Sequence, residues 1–280
     1  MVLVLAATPL GNPGDASSRL KTAIASADII AAEDSRRFHR LAADLEVTFT
    51  ARVISFFEGN EDERTREFLE NLESGLTVLV VSDAGMPTIS DPGFRLMRAA
   101  IERKIEVCVI PGPSSLTMAI ALSGLPTDRF TFEGFLPRTN GARSTALEKL
   151  RFEERTMVFF EAPHRLAASL LDAQKIFGSI RPASVCREMT KRYEETIRGT
   201  LSDLVEWSES NEILGEITLV IQGASINSEL KTSAEMVIRV REFENAGMDR
   251  KSAIAAVAEE FSIAKRIVYA AVIDANKIEK

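Results

Sequence analysis

Short hydrophobic segments alternate with amphipathic ones along the first third of the chain. The hydrophobic segments are rich in branched residues and stop at turn residues, which is typical of buried strands. This alternation predicts a mostly parallel sheet covered by helices, with ligands bound at the carboxyl ends of the strands. The predicted strands are 2–8, 28–33, 52–57, 76–83 and 105–112, and the predicted helices are 17–27, 36–45, 61–73 (after an Asn60 cap) and 94–104.

The pattern changes after Pro111. Five further strands are predicted with fewer helices between them, and two of these are close enough in sequence to form a hairpin, which indicates a mixed sheet. The last part of the chain is helical in pattern, and its two final helices, with Ser262 as a cap between them, resemble a helix-turn-helix pair. It is either a lid on the second domain or an RNA contact. The predicted strands are 130–137, 155–162, 182–190, 194–200 and 215–223, and the expected domains are 1–112, 113–224 and 225–280.

Composition narrows the class of protein. Of the 280 residues, 45% are hydrophobic and 27% charged, as in a globular protein, and no apolar run reaches the roughly 18 residues that cross a membrane. A net charge of −7 excludes nucleic-acid binding by bulk electrostatics but leaves room for a local basic patch. Cys108 and Cys186 lie in separate hydrophobic runs, which predicts free thiols and a cytoplasmic location. Neither His39 nor His164 has a partner at a metal-ligand spacing, so no metal is expected. Because no apolar run is long enough to cross a membrane, no membrane partner is expected either.

Familiar nucleotide and nucleophile motifs are missing. The sequence has no GxGxxG, no GxxxxGK[ST] and no GxSxG. Instead, loops rich in small residues follow four predicted strands, at 8–15, 32–37, 82–93 and 111–115. Small residues let backbone groups approach a ligand closely, and Asp83 could accept a hydrogen bond from a hydroxyl or an ammonium. Each loop alone could equally be a tight turn followed by a helix cap, but four such loops together favour a ligand site.

Eight segments in chain order, from about Val4 to Gly223, carry a family resemblance. They are AATPLGNPGD, IIAAEDSRR, VVSDAGMPTISDPG, IPGPSS, SGLPTDRFTFEGFLPR, FFEAPHR, REMTKRYEETIRGT and GEITLVIQG. Together they resemble the ribosomal small subunit methyltransferase I family, the 16S ribosomal RNA cytidine 2′-O-methyltransferases of the tetrapyrrole methylase superfamily. The chain departs from the commoner family pattern at four positions, Ser35, Met86, Thr88 and Ala162.

The resemblance implies an α/β, two-domain tetrapyrrole-methylase-like fold and a homodimer. The first domain is expected to hold a mostly parallel sheet, the second a mixed sheet, and the C-terminal piece to be small and helical. S-adenosylmethionine is expected in the cleft between the domains, where its methyl group passes in line to the ribose hydroxyl of a 16S ribosomal RNA cytidine. Carried over by motif, the cofactor-binding residues are Pro9, Asp83, Ala84, Gly85, Ile89, Ser114, Ser115, Phe160, Glu161, Ile217 and Thr218.

Three carboxylates are candidates for a general base, namely Asp34, Glu133 and Glu161. Asp34 is preferred, because Arg36 and Arg37 beside it could bind phosphate; its alternative roles are to cap the following helix or to pair with Arg36. Asp91 is expected to cap the helix after it. The residues expected to contact RNA are Arg36, Arg37, Arg138, Arg143, His164, Arg165, Arg187 and Lys191.

The expected substrate is the assembled small ribosomal subunit. Two rival functions remain open at this point. One is a tetrapyrrole methylase with the same cofactor, against which the segments FEGFLPR, APHR and REMTK argue. The other is an RNA-binding or ribosome-assembly factor without catalytic activity.

Overall fold

The structure, a computed structural model, describes residues 1–224, 226–261 and 265–278, with the backbone alone for 226–233, 259 and 276–278. Its first sheet has five parallel strands in the order β3-β2-β4-β1-β5. The strands are β1 (Val2–Ala6), β2 (Ile29–Ala32), β3 (Arg52–Ser55), β4 (Thr77–Val81) and β5 (Glu106–Ile110), and the helices between them are α1 (Ser18–Ser26), α2 (Ser35–Asp44), α3 (Glu61–Glu73) and α4 (Phe94–Glu102).

Both faces of this sheet are buried. Successive side chains of a strand point to opposite faces, so Leu3 and Val80 join one core while Ala6 and Leu79 join the other. Helices α3 and α4 cover the first face, and α1 and α2 cover the second. This burial on both sides explains the continuous hydrophobic runs that predicted the parallel strands.

The predicted elements of this half are all present, and their ends differ from the predicted ones by at most two residues. Asn60 occupies the N-cap position of α3, as predicted, but its side chain makes no hydrogen bond to the helix. Its amide oxygen accepts a hydrogen bond from the Phe57 N–H at 2.9 Å, and its amide nitrogen donates to the Ser55 carbonyl at 3.0 Å, so it stabilises the turn before the helix.

The second sheet is mixed, as predicted, in the order β6-β7-β10-β8-β9. β6 and β7 are parallel, the other neighbours are antiparallel, and β8 and β9 form the expected hairpin. Cys108 and Cys186 are free thiols. The strands are β6 (Phe130–Phe135), β7 (Thr156–Glu161), β8 (Pro182–Arg187), β9 (Glu195–Thr200) and β10 (Ile217–Ile221), and the helices are α5 (Ser115–Ser123), α6 (Asn140–Lys149), α7 (Leu166–Phe177) and α8 (Leu201–Ser210).

A buried ion pair joins α6 to α7. Arg143 Nη2 lies 2.6 Å from Asp172 Oδ2, and Arg143 Nε donates to the same oxygen at 2.8 Å. Each of the two side chains is only 6% exposed. Arg143 was expected to contact RNA; instead it lies in the core, because α6 begins at Asn140 and packs on α7. Its guanidinium is therefore committed to Asp172.

The C-terminal residues form a separate compact unit, which comprises 152–155 and 223–280. Its helices are α9 (Ile226–Asn245), α10 (Arg250–Glu260) and α11 (Lys265–Ile278), and their core includes Val240, Val257 and Val268. The short segment 152–155 belongs to it because the Ala224 N–H donates to the Glu153 carbonyl at 2.6 Å. A Cβ at Gly223 would overlap the Glu154 carbonyl, so this contact needs glycine.

Both sheets lie in the other compact unit, 1–151 with 156–222. The division of these residues at 112 into two domains stays a prediction. Ser262, the expected cap between the last two helices, lies outside the described residues. None of the described helices is long and apolar enough to cross a membrane.

The buried pair yields the first testable prediction. Arg143→Met should lower the free energy of unfolding by about 3–5 kcal/mol, because it leaves the Asp172 carboxylate buried without its main partner. Urea denaturation followed by circular dichroism measures this. As a control, Arg98→Met removes an exposed pair with Glu102 and should cost less than about 1 kcal/mol. Equal losses of unfolding free energy in the two variants would show that the buried pair contributes no more to stability than the exposed one.

Candidate active site

A cavity of about 340 Å³ opens at the carboxyl ends of the first sheet. This is the edge where ligands bind in parallel α/β sheets. Loops after β1, β2, β4 and β5 form one wall, and the end of β7, the start of β10 and the loop after β8 form the other. Its lining residues are Leu10, Glu33, Arg37, Asp83, Ala84, Gly85, Met86, Ile89, Ser90, Asp91, Ser114, Ser115, Phe135, Phe160, Glu161, Ala162, Pro163, Met189, Gly215, Glu216, Ile217 and Thr218.

Backbone pairing fixes the loop after β4 against the loop after β1. The Thr8 N–H donates to the Gly85 carbonyl at 2.9 Å, and the Gly85 N–H donates to the Thr8 carbonyl at 3.1 Å. The Thr8 hydroxyl also donates to the Ser82 carbonyl at 3.1 Å. Gly85 has φ +84°, which a residue with a Cβ adopts only with strain. The cavity wall therefore begins with two backbone hydrogen bonds that need glycine at this position.

Left-handed backbone conformations occur on both walls of the cavity. Thr88 (φ 77°) and Ser90 (φ 63°) lie in the loop after β4, and Glu188 (φ 50°) and Thr190 (φ 66°) lie in the loop after β8. Each costs about 1–3 kcal/mol and persists only where the surroundings hold it. One such contact is the Asn12 N–H, which donates to the Thr190 hydroxyl at 3.2 Å and joins the two walls. These loops are thus held in one shape.

Carboxylates dominate the charge of the cavity. Its lining includes five acidic side chains and a single basic one, that of Arg37. Burial raises the pKa of both Glu33 and Asp83 above the ordinary values. It raises the pKa of Asp91 to about 7, helped by the neighbouring charge of Glu33. Such a cavity favours a ligand that carries positive charge. The five acidic residues are Glu33, Asp83, Asp91, Glu161 and Glu216.

Asp83 connects three elements of this wall. Its Oδ1 accepts a hydrogen bond from the Asp34 N–H at 3.1 Å, and its Oδ2 lies 3.1 Å from Arg37 Nη1. Its own N–H donates to Glu33 Oε2 at 3.1 Å. The side chain of Asp83 therefore holds the start of α2 beside the end of β4 while still lining the cavity.

Glu161 is the fully buried carboxylate of the opposite wall. Its side chain is 0% exposed and lies 3.3 Å from Arg165 Nε. It also accepts hydrogen bonds from the Ser169 hydroxyl at 2.6 Å and the Ala162 N–H at 2.9 Å. Arg165 in turn donates to the carbonyls of Leu136 and Pro137. This network fixes the turn that follows β7.

Asp34 has the contacts of a helix cap. It accepts hydrogen bonds from the N–H groups of Arg36 (2.8 Å) and Arg37 (3.3 Å), and it pairs with Arg36 Nη2 at 3.1 Å. The bond from the Arg36 side chain and the backbone bonds lower its pKa to about 2. These contacts match the alternatives of a cap and an ion pair, and Asp34 does not line the cavity.

Asp91 does not cap α4, contrary to the prediction. The N-cap of α4 is Gly93, whose N–H donates to Glu61 Oε1 at 3.0 Å, and the Arg95 N–H donates to the same oxygen at 3.2 Å. Glu61, at the start of α3, thus caps a helix more than thirty residues away. Asp91 is left to line the cavity. Nothing local in the sequence indicates this exchange of roles.

Ten of the eleven residues expected to bind the cofactor line the cavity. The exception is Pro9, whose neighbour Leu10 lines it instead. The sequence reasoning missed Glu33, Asp91, Met189 and Glu216. Glu33 was detectable, because it follows β2 just as Asp83 follows β4. No signal in the sequence indicated Met189 or Glu216.

The residues expected to contact RNA fall into two groups. Arg36, Arg138 and His164 are exposed, although Arg36 also pairs with Asp34, and Arg37 lies at the cavity while pairing with Asp83. The other group is committed to partners within the chain: Arg143 to Asp172, Arg165 to Glu161, Arg187 to Glu195 at 2.8 Å, and Lys191 to Glu188 and Glu216 at 2.8 and 3.2 Å. Across the part of the chain that the structure describes, no group of three His, Cys, Asp or Glu is arranged to hold a metal ion.

Comparison with solved structures identifies the fold. Uroporphyrin-III C-methyltransferase from Thermus thermophilus, solved in complex with S-adenyl homocysteine, matches with a TM-score of 0.56 at 16% identity, over 79% of this chain and 96% of that one. Diphthine synthase matches with a TM-score of 0.59 at 15% identity, over 79% and 89%. At these identities, the likeness shows the fold alone.

Comparison with sequences identifies the family. Residues 2–205 match the model of the Tetrapyrrole (Corrin/Porphyrin) Methylases. The chain is 47% identical over 276 residues to Ribosomal RNA small subunit methyltransferase I of Mycobacterium tuberculosis (strain ATCC 25618 / H37Rv), covering 98% of this chain and 95% of that protein. It is 41% identical to the protein of the same name from Synechocystis sp., with 96% of each covered. The chain therefore belongs to the tetrapyrrole methylases and, among them, to the ribosomal RNA small subunit methyltransferase I family.

Proposed function

We propose that this chain transfers a methyl group from S-adenosylmethionine, in line, to the 2′-hydroxyl of a cytidine ribose in 16S ribosomal RNA. The observation that carries the proposal is the acidic cavity at the carboxyl ends of the first sheet, in a chain of this family. Relatives named as ribosomal RNA small subunit methyltransferases support the RNA substrate. The Thermus structure with S-adenyl homocysteine supports the cofactor.

The residues of the cavity fit S-adenosylmethionine chemically. The cavity volume of about 340 Å³ falls within the range of small-molecule sites. The carboxylates complement a sulfonium and an ammonium group. Phe160, with Phe135 at 5.6 Å between ring centroids, offers an aromatic surface to a purine. Ser114 and Ser115, at the start of the nine-residue helix α5, bring backbone N–H groups suited to a carboxylate.

S-adenosylmethionine, when bound, supplies a methyl group on a positively charged sulfur. The chain's own residues then have two tasks. The first is to hold the hydroxyl in line, which is worth several kcal/mol through alignment. The second is to accept the hydroxyl proton. Asp34 was the preferred base, but its pKa of about 2 makes it a weak acceptor. Glu33, Asp83 and Asp91 have the raised pKa that proton acceptance requires, so we propose the base among these three.

RNA binding needs local cations, because the chain as a whole is acidic. The exposed side chains of Arg36, Arg138 and His164, with Arg37 at the cavity, are the proposed phosphate contacts. We further propose that the protein is a cytoplasmic homodimer and that its substrate is the assembled small ribosomal subunit. The shape of the subunit, together with these few side chains, would select one nucleotide.

The cofactor assignment predicts the effect of a charge removal. Asp83→Asn should weaken S-adenosylmethionine binding at least tenfold, because it removes a negative charge from the cavity wall while the amide retains the shape of the side chain. Isothermal titration calorimetry measures the affinity. Asp44→Asn, at the exposed end of α2, is the matched control and should bind as the wild type does. If Asp83→Asn binds normally, the acidic wall does not hold the cation.

The raised pKa of Asp91 predicts a pH dependence of binding. Below pH 7 Asp91 is mostly protonated and above it mostly ionised, so affinity for the cationic ligand should rise between pH 6 and pH 8, with proton release on binding below pH 7. Asp91→Asn should remove this part of the pH dependence. Calorimetry in buffers of different ionisation enthalpy counts the protons released. Identical pH profiles for wild type and variant would contradict the role of Asp91.

The substrate assignment predicts a chemical change in RNA. A strain that lacks this protein should lack one 2′-O-methylated cytidine in its 16S ribosomal RNA, as read by mass mapping of nuclease fragments. Purified protein should restore the mark on assembled small subunits faster than on free RNA. Equal rates on both would refute the assembled substrate. An unchanged RNA, with cofactor bound, would favour a tetrapyrrole substrate, and no cofactor binding would favour an assembly factor without catalysis.

A further inference from the structure

A second cavity lies within the C-terminal unit, between the first turns of α10 and α11. Its volume is about 950 Å³. We name it the cationic groove, because among the described residues that line it four side chains are basic and one is acidic. The lining residues are Asp249, Arg250, Lys251, Ser252, Ile254, Ala255, Lys265, Arg266 and Tyr269.

Basic and acidic side chains are unevenly distributed within the C-terminal unit, and this gives the groove its positive charge. Residues 223–280 contain nine Lys and Arg and nine Asp and Glu, so this segment is neutral. Of the side chains that the structure describes in this segment, six are basic and six acidic; four of the basic ones but one of the acidic ones line the groove. The segment is thus neutral overall but carries a locally positive surface, which is typical of a site that binds a polyanion.

Asp249 is the carboxylate among the described residues of the groove, and it is hydrogen-bonded within the chain. Asp249 accepts hydrogen bonds from the N–H groups of Lys251 at 3.0 Å and Ser252 at 3.1 Å, and from the Ser252 hydroxyl at 2.5 Å. These bonds, the hydroxyl first, lower its pKa. Asp249 thus caps α10. Arg250 has a long pair with Glu244 at 3.7 Å and remains about half exposed. The groove keeps an excess of positive charge.

An aromatic ring lies among these cations. Tyr269 follows Lys265 by four residues and Arg266 by three, so the three side chains share one face of α11. The tyrosine is 57% exposed, although large aromatic side chains are usually buried. Cations that follow a phosphate backbone, combined with an exposed aromatic ring on which a base can stack, are the elements of sites for single-stranded nucleic acid.

We propose that the cationic groove binds the backbone of single-stranded RNA, with Tyr269 stacked on a base. The choice of RNA rests on the proposed function, since the charge alone would suit any polyanion. The groove would contribute to affinity for the substrate and not to the chemical step. Its loss should therefore raise KM for the RNA substrate and leave kcat unchanged.

Charge reversal in the full-length protein tests the groove. The probe is a fluorescein-labelled single-stranded RNA of about twenty nucleotides, followed by anisotropy at several salt concentrations. The double variant Lys251→Glu with Arg266→Glu should bind it at least tenfold more weakly, and the slope of log affinity against log salt should fall by about one to two. Tyr269→Ala should weaken binding about fivefold or more with the slope unchanged.

Two controls separate the groove from other causes. Arg19→Glu with Lys21→Glu, on exposed positions of α1, changes the net charge equally and should leave RNA binding within about twofold of wild type. Lys251→Ala with Arg266→Ala repeats the test without added acidic side chains. Circular dichroism melts should show that all variants fold.

The outcomes distinguish this proposal from the proposed function. Unchanged RNA affinity in the two double variants of Lys251 and Arg266 would overturn the proposal that the groove binds RNA. Binding of S-adenosylmethionine and the methylation of the RNA test the proposed methylase activity separately. A groove that prefers duplex DNA or heparin to the RNA probe would overturn the choice of RNA. Loss of RNA binding in the groove variants with cofactor affinity unchanged is the expected result.

Discussion

The pair of backbone hydrogen bonds between Thr8 and Gly85 determines the shape of the candidate site. β1 and β4 are neighbours in the first sheet, and these bonds extend their contact past the ends of the strands. The loop after β4 is thereby turned back over the sheet edge. Asp83 and Asp91 both lie in that loop, so their positions in the cavity depend on a pairing that involves no side chain. Glycine at position 85 is the one local requirement that this pairing imposes.

The cavity gathers charges that repel one another. Glu33, Asp83 and Asp91 are each partly removed from water, and the raised pKa values record the free energy that their ionisation costs. A protein selected for stability alone would replace such carboxylates with neutral residues. Their presence in loops that are also strained at Thr88 and Ser90 indicates that this region is shaped for a ligand, whose positive charge would offset the repulsion.

Hydrophobic alternation was sufficient to predict the two sheets and the helices α1 to α4, because strand and helix periods are local properties. Strand-end loops were sufficient to find the wall that the first sheet forms, because parallel strands end at one edge. The residues of the opposite wall, at the end of β7 and the start of β10, came from the family resemblance. Side-chain partners were not predictable in this way. Glu61 caps α4 from another helix, and Arg143 turns inward to Asp172 across 29 residues of sequence. Asp34 and Asp91 could each be a cap or a functional side chain by sequence. Asp34 is held as a cap by its neighbours Arg36 and Arg37, whereas the role of Asp91 depended on the distant Glu61.

The segment 152–155 makes the C-terminal unit discontinuous in sequence. It lies between α6 and β7, and its backbone carbonyl at Glu153 pairs with Ala224, beside the glycine that the close contact requires. The unit is therefore encoded in two places, about seventy residues apart. A recombination event at the 3′ end of the gene could not exchange this unit cleanly, because the internal segment would remain with the old partner. A swap between relatives at a single junction near 223 would therefore combine segment 152–155 of one protein with the C-terminal helices of another.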